Sequence, residues 1–287
     1  MTRSYAVVDV FSAEPLLGNP VAVILDAAGL DDARMQAIAR WTNLSETTFL
    51  LPPTSDAADY TLRIFTPRNE LPFAGHPTLG SAHAAIEAGI VPAGQTRIVQ
   101  ECGVGLVTIQ CDTVDGQRLL NFGLPAGTLT PLVADDVDLL DAIIGQPVRR
   151  APQPAIIDVG AVWIVAEVAN PQTLLSLRPD FARMAALEAR LGVTGVSLFA
   201  RYPDGGLEVR SFAPSSGVDE DPVCGSGNGS VALFQARSGM LPGNSRYVAR
   251  QGGCVGRDGR VRISIDGEGG VTVGGAAVTV ATGVLAV

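Results

Sequence analysis

The sequence predicts an α+β protein made of two similar domains, each a mostly antiparallel sheet wrapped around a central helix. The chain has 287 residues, of which 47% are hydrophobic and 17% charged, so it can bury the cores of two ordinary domains. Short motifs recur in the same order about half a chain apart. Each half also shows the same succession of strand-like and helix-like patterns. Together these observations indicate a duplicated α+β domain.

The internal repeat rests on three pairs of motifs that keep one order and nearly one offset. At offsets of 149, 147 and 150 positions, the pairs are Asp31–Met35 with Asp180–Met184, Arg63–Pro67 with Arg210–Pro214, and Pro72–His76 with Pro222–Ser226. A solenoid repeats roughly every 20 to 50 residues. A period close to half the chain therefore indicates that a whole domain was duplicated.

The first half opens with apolar or alternating runs that are typical of strands. A helix follows, opened by Asp31 near its N-cap, and after two further strands a turn rich in Gly and Pro precedes a second helix. The predicted elements are strands Tyr5–Val10 and Val21–Leu25, helix Asp31–Trp41, strands Thr47–Leu51 and Tyr60–Phe65, and helix Pro77–Ala88.

The second half repeats this order. Its predicted elements are strands Ile156–Asp158 and Val162–Val168, helix Asp180–Leu191, strands Val196–Arg201 and Leu207–Phe212, and helix Gly227–Ser238. The last helix of each half is rich in Ala, Gly and Ser, whose small side chains let strands approach closely. We therefore expect both of these helices to be buried within their sheets.

The segment Gly127–Asp141 is predicted to bridge the two halves, because its turn residues lead into an acidic, helix-like stretch at Ala134–Ile144. We place the first domain at residues 1–127 and the second at residues 128–287. The last apolar strand, at 278–287, is compatible with crossing back to the first domain.

The composition excludes several classes of function. All 20 cationic side chains are Arg, so no Lys can form a Schiff base with pyridoxal phosphate or serve a Walker A phosphate loop. A net charge of −9, a pI near 4.7 and no basic stripe argue against nucleic-acid binding. Four Cys without a Cys-x-x-Cys pair, and only two His, do not support a zinc site. We expect neither a metal nor a cofactor.

We expect neither a targeting segment nor a membrane-spanning segment. Asp9 interrupts the only early apolar run, and no stretch approaches the about 18 apolar residues that a membrane-spanning helix needs. We therefore expect a cytoplasmic protein with reduced thiols and without membrane association.

A Gly-rich turn stands directly before the second helix of each half, at Gly75–Thr78 and at Gly225–Asn228. Free backbone N–H groups and the positive end of the helix dipole favour an anion at such a place. We expect a small carboxylate to bind there, and the candidate binding residues are Gly75, Thr78, Cys224, Gly225 and Gly227. In the alternative interpretation, the glycines only permit tight turns and close helix packing.

Polar residues that occur in one copy of the repeat alone are candidates for chemistry, because scaffold residues are expected in both copies. Aligning the copies places Gly opposite Glu46, Leu opposite Asp221, and His76 opposite Ser226. The asymmetric polar set is therefore Glu46, His76, Asp221 and Ser226.

A carboxylate beside apolar groups has its pKa raised towards neutrality, so it can take and return a proton. Glu46 lies between a predicted helix and the apolar strand Thr47–Leu51, where such burial is expected. Each residue also has a structural alternative: an exposed loop carboxylate for Glu46, a capping or core imidazole for His76, and an ordinary turn acid for Asp221.

Cys224 is a further reactive group of this region, and it stands opposite Ala74 in the repeat. A buried thiol is inert by default, whereas the N-terminus of a helix favours the thiolate. The sequence leaves both states of Cys224 open.

Several long motifs can be compared with known families. In chain order they are Asp9–Phe11 with Gly18–Val23, Ser45–Thr47, Phe65–Pro67, Glu70–Gly80 and Glu220–Ser226, with a weaker match at Gln251–Gly252 and Gly256–Arg257. Together they resemble the phenazine-biosynthesis PhzF-like isomerase family. The resemblance extends from about Tyr5 to Arg262, which is nearly the whole chain.

This resemblance implies a diaminopimelate-epimerase-like fold, with two pseudo-symmetric domains, the active site between them and usually a homodimer. It implies a cofactor-independent isomerisation of the trans-2,3-dihydro-3-hydroxyanthranilate type, in which one glutamate removes a proton from carbon and returns it elsewhere. Carried over to this chain, the resemblance assigns that role to Glu46. It implies supporting roles for His76, Asp221 and Ser226. It also implies that the backbone amides of Gly75 and Gly225 lie near the substrate carboxylate.

The segment Cys224–Gly227 also looks like the second cysteine motif of diaminopimelate epimerases and proline racemases, which use two facing cysteines to invert a stereocentre. No cysteine stands at Ala74–His76, where the partner would be expected, so a matched thiol pair is not predicted. An epimerase or racemase that pairs Glu46 with Cys224 is one alternative. A non-catalytic protein that binds a small acid is another.

Overall fold

The computed structural model describes residues 2–287. The chain forms two compact units, one made of the residues up to Phe122 together with Gly274–Val287, and one made of Gly123–Val273. Strands and helices occur in both units, and strands predominate. The α+β class predicted from the sequence is confirmed.

The first unit begins with eight strands and two helices. The strands are β1 (Thr2–Val10), β2 (Asn19–Ile24), β3 (Thr47–Leu51), β4 (Tyr60–Phe65), β5 (Glu70–Leu71), β6 (Arg97–Cys102), β7 (Gly105–Val114) and β8 (Gln117–Gly123). The helices are α1 (Asp32–Thr42) and α2 (Gly75–Glu87).

The strands of the first unit pair mostly antiparallel, and the parallel pairs are β2 with β3 and β4 with β6. Helix α2 contacts β1, β2, β3, β4 and β6, and every residue from His76 to Ile86 is buried. Small residues permit this approach, since a Cβ on Gly80 would lie 2.4 Å from Cγ1 of Val21. Helix α2 is therefore the central helix of its sheet, as predicted.

The second unit contains nine strands and four α-helices. The strands are β9 (Thr128–Pro131), β10 (Ala155–Asp158), β11 (Val162–Glu167), β12 (Gly195–Arg201), β13 (Leu207–Ala213), β14 (Val218–Asp221), β15 (Ser245–Gln251), β16 (Gly259–Ile265) and β17 (Val271–Gly275), which ends at the boundary of the unit. The helices are α3 (Ala134–Ile144), α4 (Pro171–Ser176), α5 (Phe181–Leu191) and α6 (Gly225–Arg237), with single 3-10 turns at Pro214–Ser216 and Gly253–Val255.

The second unit repeats the sheet pattern of the first. Its parallel strand pairs are β11 with β12 and β13 with β15. The other pairs among the strands from β9 through β16 are antiparallel. Helix α6 contacts β10, β11, β12 and β16 and is buried from Gly227 to Gln235. The ring of Phe234 on α6 packs 6.0 Å from that of Phe199 on β12. Each unit thus has its own central helix.

The outer helices of the two units are capped in the same way. The carboxylate of Asp31 accepts a hydrogen bond of 2.8 Å from the N–H of Arg34 at the start of α1. The carboxylate of Asp180 accepts one of 3.0 Å from the N–H of Arg183 at the start of α5. Since each satisfies a backbone donor that has no partner within its helix, the repeated Asp is an N-cap in both copies.

Both central helices begin two residues earlier than the sequence predicts, at Gly75 and Gly225 instead of Pro77 and Gly227. A proline is tolerated in the first turn of a helix, because the N–H that it lacks has no partner there. The Gly-rich segments are therefore the first turns of α2 and α6 and not turns that precede them.

The last strand, β18 (Ala277–Ala286), lies in the first unit. It pairs antiparallel with β1 from Thr2 to Val10, while the other edge of β1 pairs with β2. The two ends of the described chain are thus neighbouring strands of one sheet.

Candidate active site

Glu46 and His76 lie together in the first unit. Glu46 directly precedes β3, and His76 is the second residue of α2. Nε2 of His76 lies 3.3 Å from Oε2 of Glu46, and the two side chains are 7% and 16% exposed. The structure therefore brings together two of the four residues of the asymmetric polar set.

The imidazole of His76 is neutral. Burial lowers its pKa to about 3, although a hydrogen bond to the backbone of Pro20 acts in the opposite direction. Nδ1 of the ring also lies 3.5 Å from Nδ2 of Asn19, which is fully buried. Because the ring carries no positive charge at neutral pH, the contact with Glu46 is between a carboxyl group and a neutral imidazole.

Hydrogen bonds between threonine and serine hydroxyls connect the strand next to Glu46 with the helix that carries His76. Oγ1 of Thr48 on β3 lies 2.8 Å from Oγ of Ser81 on α2, and both residues are fully buried. Oγ1 of Thr47 lies 2.6 Å from Oγ1 of Thr42 at the end of α1. These contacts fix the start of β3 relative to α1 and α2.

The N-terminus of α2 has no side-chain cap, since Ala74 occupies the N-cap position. Gly75 supplies the first backbone N–H of the helix. Thr78 is fully buried, its N–H donates to the carbonyl of Ala74 over 3.2 Å, and its hydroxyl accepts from Nε2 of Gln100 over 3.1 Å. Both polar groups of Thr78 thus take part in the scaffold.

Asp221, Cys224 and Ser226 form a second cluster, in the second unit. Oδ1 of Asp221 accepts a 3.0 Å hydrogen bond from the N–H of Val223. Sγ of Cys224 lies 3.6 Å from Oγ of Ser226, and that hydroxyl accepts from the indole Nε1 of Trp163 over 3.1 Å. The structure thus brings these three sequence-predicted residues together at the start of α6.

The carboxyl group of Asp221 is easily protonated near neutral pH. Burial raises its pKa to about 6, and the nearby charge of Glu220 acts in the same direction. Hydrogen bonds from Val223 and Cys224 act against this rise without cancelling it. Both protonation states of Asp221 are therefore accessible close to physiological pH.

Cys224 is a protonated thiol that caps α6. Its sulfur accepts from the N–H of Gly227 over 3.2 Å. Burial raises the pKa of the thiol well above 9, and the charge of Asp221 adds to the rise, while contacts with Ser226 and Gly227 oppose it. The interpretation that the helix N-terminus favours a thiolate is wrong here, because desolvation and the neighbouring carboxylate outweigh the helix.

Gly227 is required by the close packing of α6. A Cβ at this position would lie 2.5 Å from Oγ of Ser197 and 2.6 Å from Oγ of Ser211. These two hydroxyls lie 2.9 Å apart on neighbouring strands and are fully buried. The first turn of α6 can therefore approach β12 and β13 only with glycine at Gly227.

Two residues that hydrogen-bond to the second cluster, Trp163 and Gln251, are not predicted as functional residues from the sequence. Trp163 and Gln251 lie on β11 and β15, outside the motif Glu220–Ser226 that carries the cluster. A Trp or Gln with a buried polar group needs a hydrogen-bond partner, but the sequence alone does not show which one. The only sequence signal was the weak motif match at Gln251.

The structure describes the side chains of residues 2–287. Within this range no three His, Cys, Asp or Glu side chains are grouped closely enough to hold a metal ion. None of the helices in the described range is both long enough and apolar enough to cross a lipid bilayer. The four cysteines are free thiols: Cys102, Cys111, Cys224 and Cys254.

The duplicated α+β fold places acid–base side chains at the start of each central helix, His76 on α2 and Ser226 on α6 beside Asp221 and Cys224, where they can serve proton transfer. The profile of the family described as phenazine biosynthesis-like protein matches residues 8–283. The chain belongs to this family, and it is an isomerase. The resemblance stated from the motifs is confirmed.

Two relatives cover nearly the whole chain. The chain is 38% identical over 292 residues to the Schizosaccharomyces pombe protein named antisense-enhancing sequence 1, covering 98% of each protein. It is 34% identical over 278 residues to the trans-2,3-dihydro-3-hydroxyanthranilate isomerase of Pseudomonas aeruginosa, covering 92% of this chain and 91% of that enzyme.

Solved structures show the same fold. The phenazine biosynthesis protein of Bacillus anthracis, from the PhzF family, matches with a TM-score of 0.89 at 24% identity, over 100% of both chains. A hydroxyproline epimerase from Agrobacterium vitis matches with a TM-score of 0.70 at 13% identity, covering 99% of this chain and 92% of that one. The predicted epimerase-like fold is confirmed.

Proposed function

We propose that this isomerase acts on a small carboxylate without a cofactor, with Glu46 as the group that moves a proton between two carbon atoms of the substrate. The observation that carries the proposal is the buried contact of 3.3 Å between Glu46 and the neutral imidazole of His76. A carboxylate that contacts an uncharged imidazole in a mostly buried place can act as a general base.

The proposed reaction conserves protons and electrons. A carboxylate oxygen of Glu46 takes the proton from a C–H bond of the substrate, and the electron pair of that bond moves into the conjugated system. Glu46 then returns the same proton to another carbon of that system, so the enzyme ends as it began. His76, with an uncharged ring, orients the substrate and Glu46 and does not add a charge.

In this proposal Asp221 and Ser226 orient and polarise the substrate. Because the pKa of Asp221 is raised to about 6, a fraction of its carboxyl groups is protonated at neutral pH and can donate a hydrogen bond. The N-terminal amides at Gly75 and Gly225 are the proposed donors to the substrate carboxylate. The N–H of Gly227, also expected from the sequence to bind the substrate, already donates to the sulfur of Cys224. The curated relative from Pseudomonas aeruginosa makes trans-2,3-dihydro-3-hydroxyanthranilate the first candidate substrate.

Proton exchange measured by NMR in heavy water tests the proposal. The protein and its Glu46→Gln and Cys224→Ala variants would each be mixed with trans-2,3-dihydro-3-hydroxyanthranilate and with proline-type amino acids. We expect rearrangement or exchange of a carbon-bound proton that requires Glu46 and persists in Cys224→Ala. Glu46→Gln replaces the base by an isosteric amide, so the fold and ligand binding should be unchanged.

Each other outcome supports a different function. Loss of exchange in both variants would support an epimerase that pairs Glu46 with Cys224. Binding of an acid without exchange by the unchanged protein would support a non-catalytic binding protein. Activity that persists in Glu46→Gln would exclude Glu46 as the base.

We also propose that the protein is a cytoplasmic homodimer that needs neither metal nor nicotinamide. The family resemblance supports the dimer, and the free thiols fit a reducing compartment. Light scattering should give twice the 29.7 kDa of one chain, and cell fractionation should recover the protein with the cytoplasm. Chelators and added nicotinamide cofactors should leave the turnover unchanged.

A further inference from the structure

Gln251 joins both ends of the turn that carries the second cluster. This residue ends β15 and is 1% exposed. Its Nε2 donates to the backbone carbonyl of Asp221 over 3.0 Å, and its Oε1 accepts from the backbone N–H of Cys224 over 3.1 Å. One side-chain amide therefore spans the residues where β14 ends and α6 begins.

Asn228, on the first turns of α6, completes this network. Its Nδ2 donates both to Oε1 of Gln251 over 2.7 Å and to the carbonyl of Cys224 over 2.8 Å. Buried hydrogen bonds of this kind are costly to break, because water cannot replace the lost partner. The side-chain amide of Gln251, on β15, therefore fixes the backbone of the turn that begins at Asp221, the last residue of β14.

The first unit holds a matched glutamine that does not do this. Gln100 on β6 stands 151 positions before Gln251 and is also fully buried. Its Nε2 donates to the hydroxyl of Thr78, which corresponds to Asn228 at an offset of 150, and its Oε1 accepts from the hydroxyl of Tyr60 over 3.4 Å. These bonds join the helix and the strands of the first unit.

The comparison separates two roles of the repeated glutamine. The contact with the helix residue, Thr78 or Asn228, is common to both copies and belongs to the scaffold. The bonds to Asp221 and Cys224 occur in the second copy, where the residues of the turn are polar and reactive. The additional hydrogen bonds of Gln251 therefore occur in the copy of the repeat whose turn carries polar residues that the other copy lacks.

We propose that Gln251 is a positioning residue, which holds the backbone of the turn from Asp221 to Cys224 so that the Asp221 carboxyl group can orient and polarise the substrate, without itself touching the substrate. The inference rests on the proposed function, because it assigns Gln251 a part in that reaction. Gln251→Met keeps the length of the side chain and removes the hydrogen bonds. Gln251→Asn keeps the amide and shortens its reach.

The carboxyl carbon of Asp221, followed by NMR as the pH changes, gives a readout that does not depend on activity. Its titratable neighbours are Glu220 and Cys224, and neither is altered in these variants. In Gln251→Met, a loosened turn admits water, so the pKa should fall from about 6 towards its ordinary value of 3.8. In the matched Gln100→Met variant it should stay near 6, even though a comparable buried amide is lost.

Turnover is measured beside this titration. We expect kcat/KM of Gln251→Met to fall about 100-fold, the order of loss that a misplacement of about 1 Å causes. An Asp221 pKa that remains near 6 in both Gln251 variants would overturn the positioning role. If the unchanged protein shows no turnover, the proposed function fails, but the titration still decides the role of Gln251. Gln251→Asn serves where Gln251→Met does not fold.

Discussion

Arg210 and Glu220 form a buried bidentate ion pair. Nε and Nη2 of the guanidinium lie 3.0 and 2.7 Å from the two carboxylate oxygens, and the side chains are 4% and 8% exposed. The same pair recurs in the first unit as Arg63 and Glu70, with both distances 2.7 Å. There the side chains are 25% and 42% exposed. Duplication has thus placed one ion pair in two different environments.

The two pairs should contribute differently to stability. Glu220→Gln leaves a buried guanidinium without its counter-charge, so we expect a loss of about 3 kcal/mol or more in the free energy of unfolding. Glu70→Gln removes the corresponding exposed pair and should cost less than about 1 kcal/mol. Urea denaturation of both variants tests this, and equal losses would contradict the expectation.

Asp221→Asn should gain stability relative to the unchanged protein as the pH rises. Between pH 3.8 and about 6 the carboxyl is protonated in the folded chain and ionised in the unfolded chain. The folded state binds more protons, so the free energy of unfolding falls as the pH rises through this window. Asn does not titrate. From pH 5 to pH 7.5 the difference should therefore shift by about 1.4 kcal/mol in favour of Asn, because pH 5 lies about one unit below the folded-state pKa and one pKa unit is worth about 1.4 kcal/mol.

Denaturation curves of both proteins at these two pH values measure the shift. All other titrating groups are shared by the two proteins, so their contributions cancel in the difference. A difference that does not change with pH would show that the folded-state pKa of Asp221 is not raised.

Cys224→Ala should keep its turnover within about tenfold of the unchanged protein. The thiol is protonated, since its pKa lies well above 9, and its sulfur caps α6 through the N–H of Gly227. Removing a cap should lower the free energy of unfolding by about 1 kcal/mol. Steady-state kinetics and thermal unfolding check both effects. A 100-fold or larger loss of turnover in a folded variant would assign the thiol a chemical role.

Gly227→Ala should destabilise the second unit by about 1 to 3 kcal/mol, the usual range for overpacking. The added methyl group would displace the hydroxyls of Ser197 and Ser211 and break the hydrogen bond between them. Gly94→Ala is the control, because a Cβ there meets nothing within 4 Å. Denaturation midpoints compare the two variants, and similar midpoints would count against close packing at Gly227.

The sequence predicts the fold because the signals that set it are local or repeated. Asp31 and Asp180 predict the starts of two helices, because Asp is a favoured N-cap residue. The small residues of α2 and α6 predict that these helices are buried on all sides. The sequence places the starts of α2 and α6 two residues too late. Gly and Pro are typical of turns between elements, so those in the first turn of a helix are not recognised as helical.

The sequence predicts which residues form the candidate site, but not their protonation states or their contacts with other strands. Asymmetry between the copies selects Glu46 and His76, which the structure places 3.3 Å apart. The protonation state of Cys224 and the contacts of Gln251 depend on groups brought together from separate strands. Desolvation and tertiary hydrogen bonds of this kind leave no periodic signal in a single sequence.

The position of β18 has a consequence for the order in which the units can form during synthesis. The sheet of the first unit lacks one of the two strands beside β1 until Ala286 has been added, whereas the second unit, Gly123–Val273, is continuous in the sequence. Domains usually fold from the N-terminus onwards as the ribosome elongates the chain. Here we expect the order to be reversed: on stalled ribosomes, the second unit should resist protease before the first does.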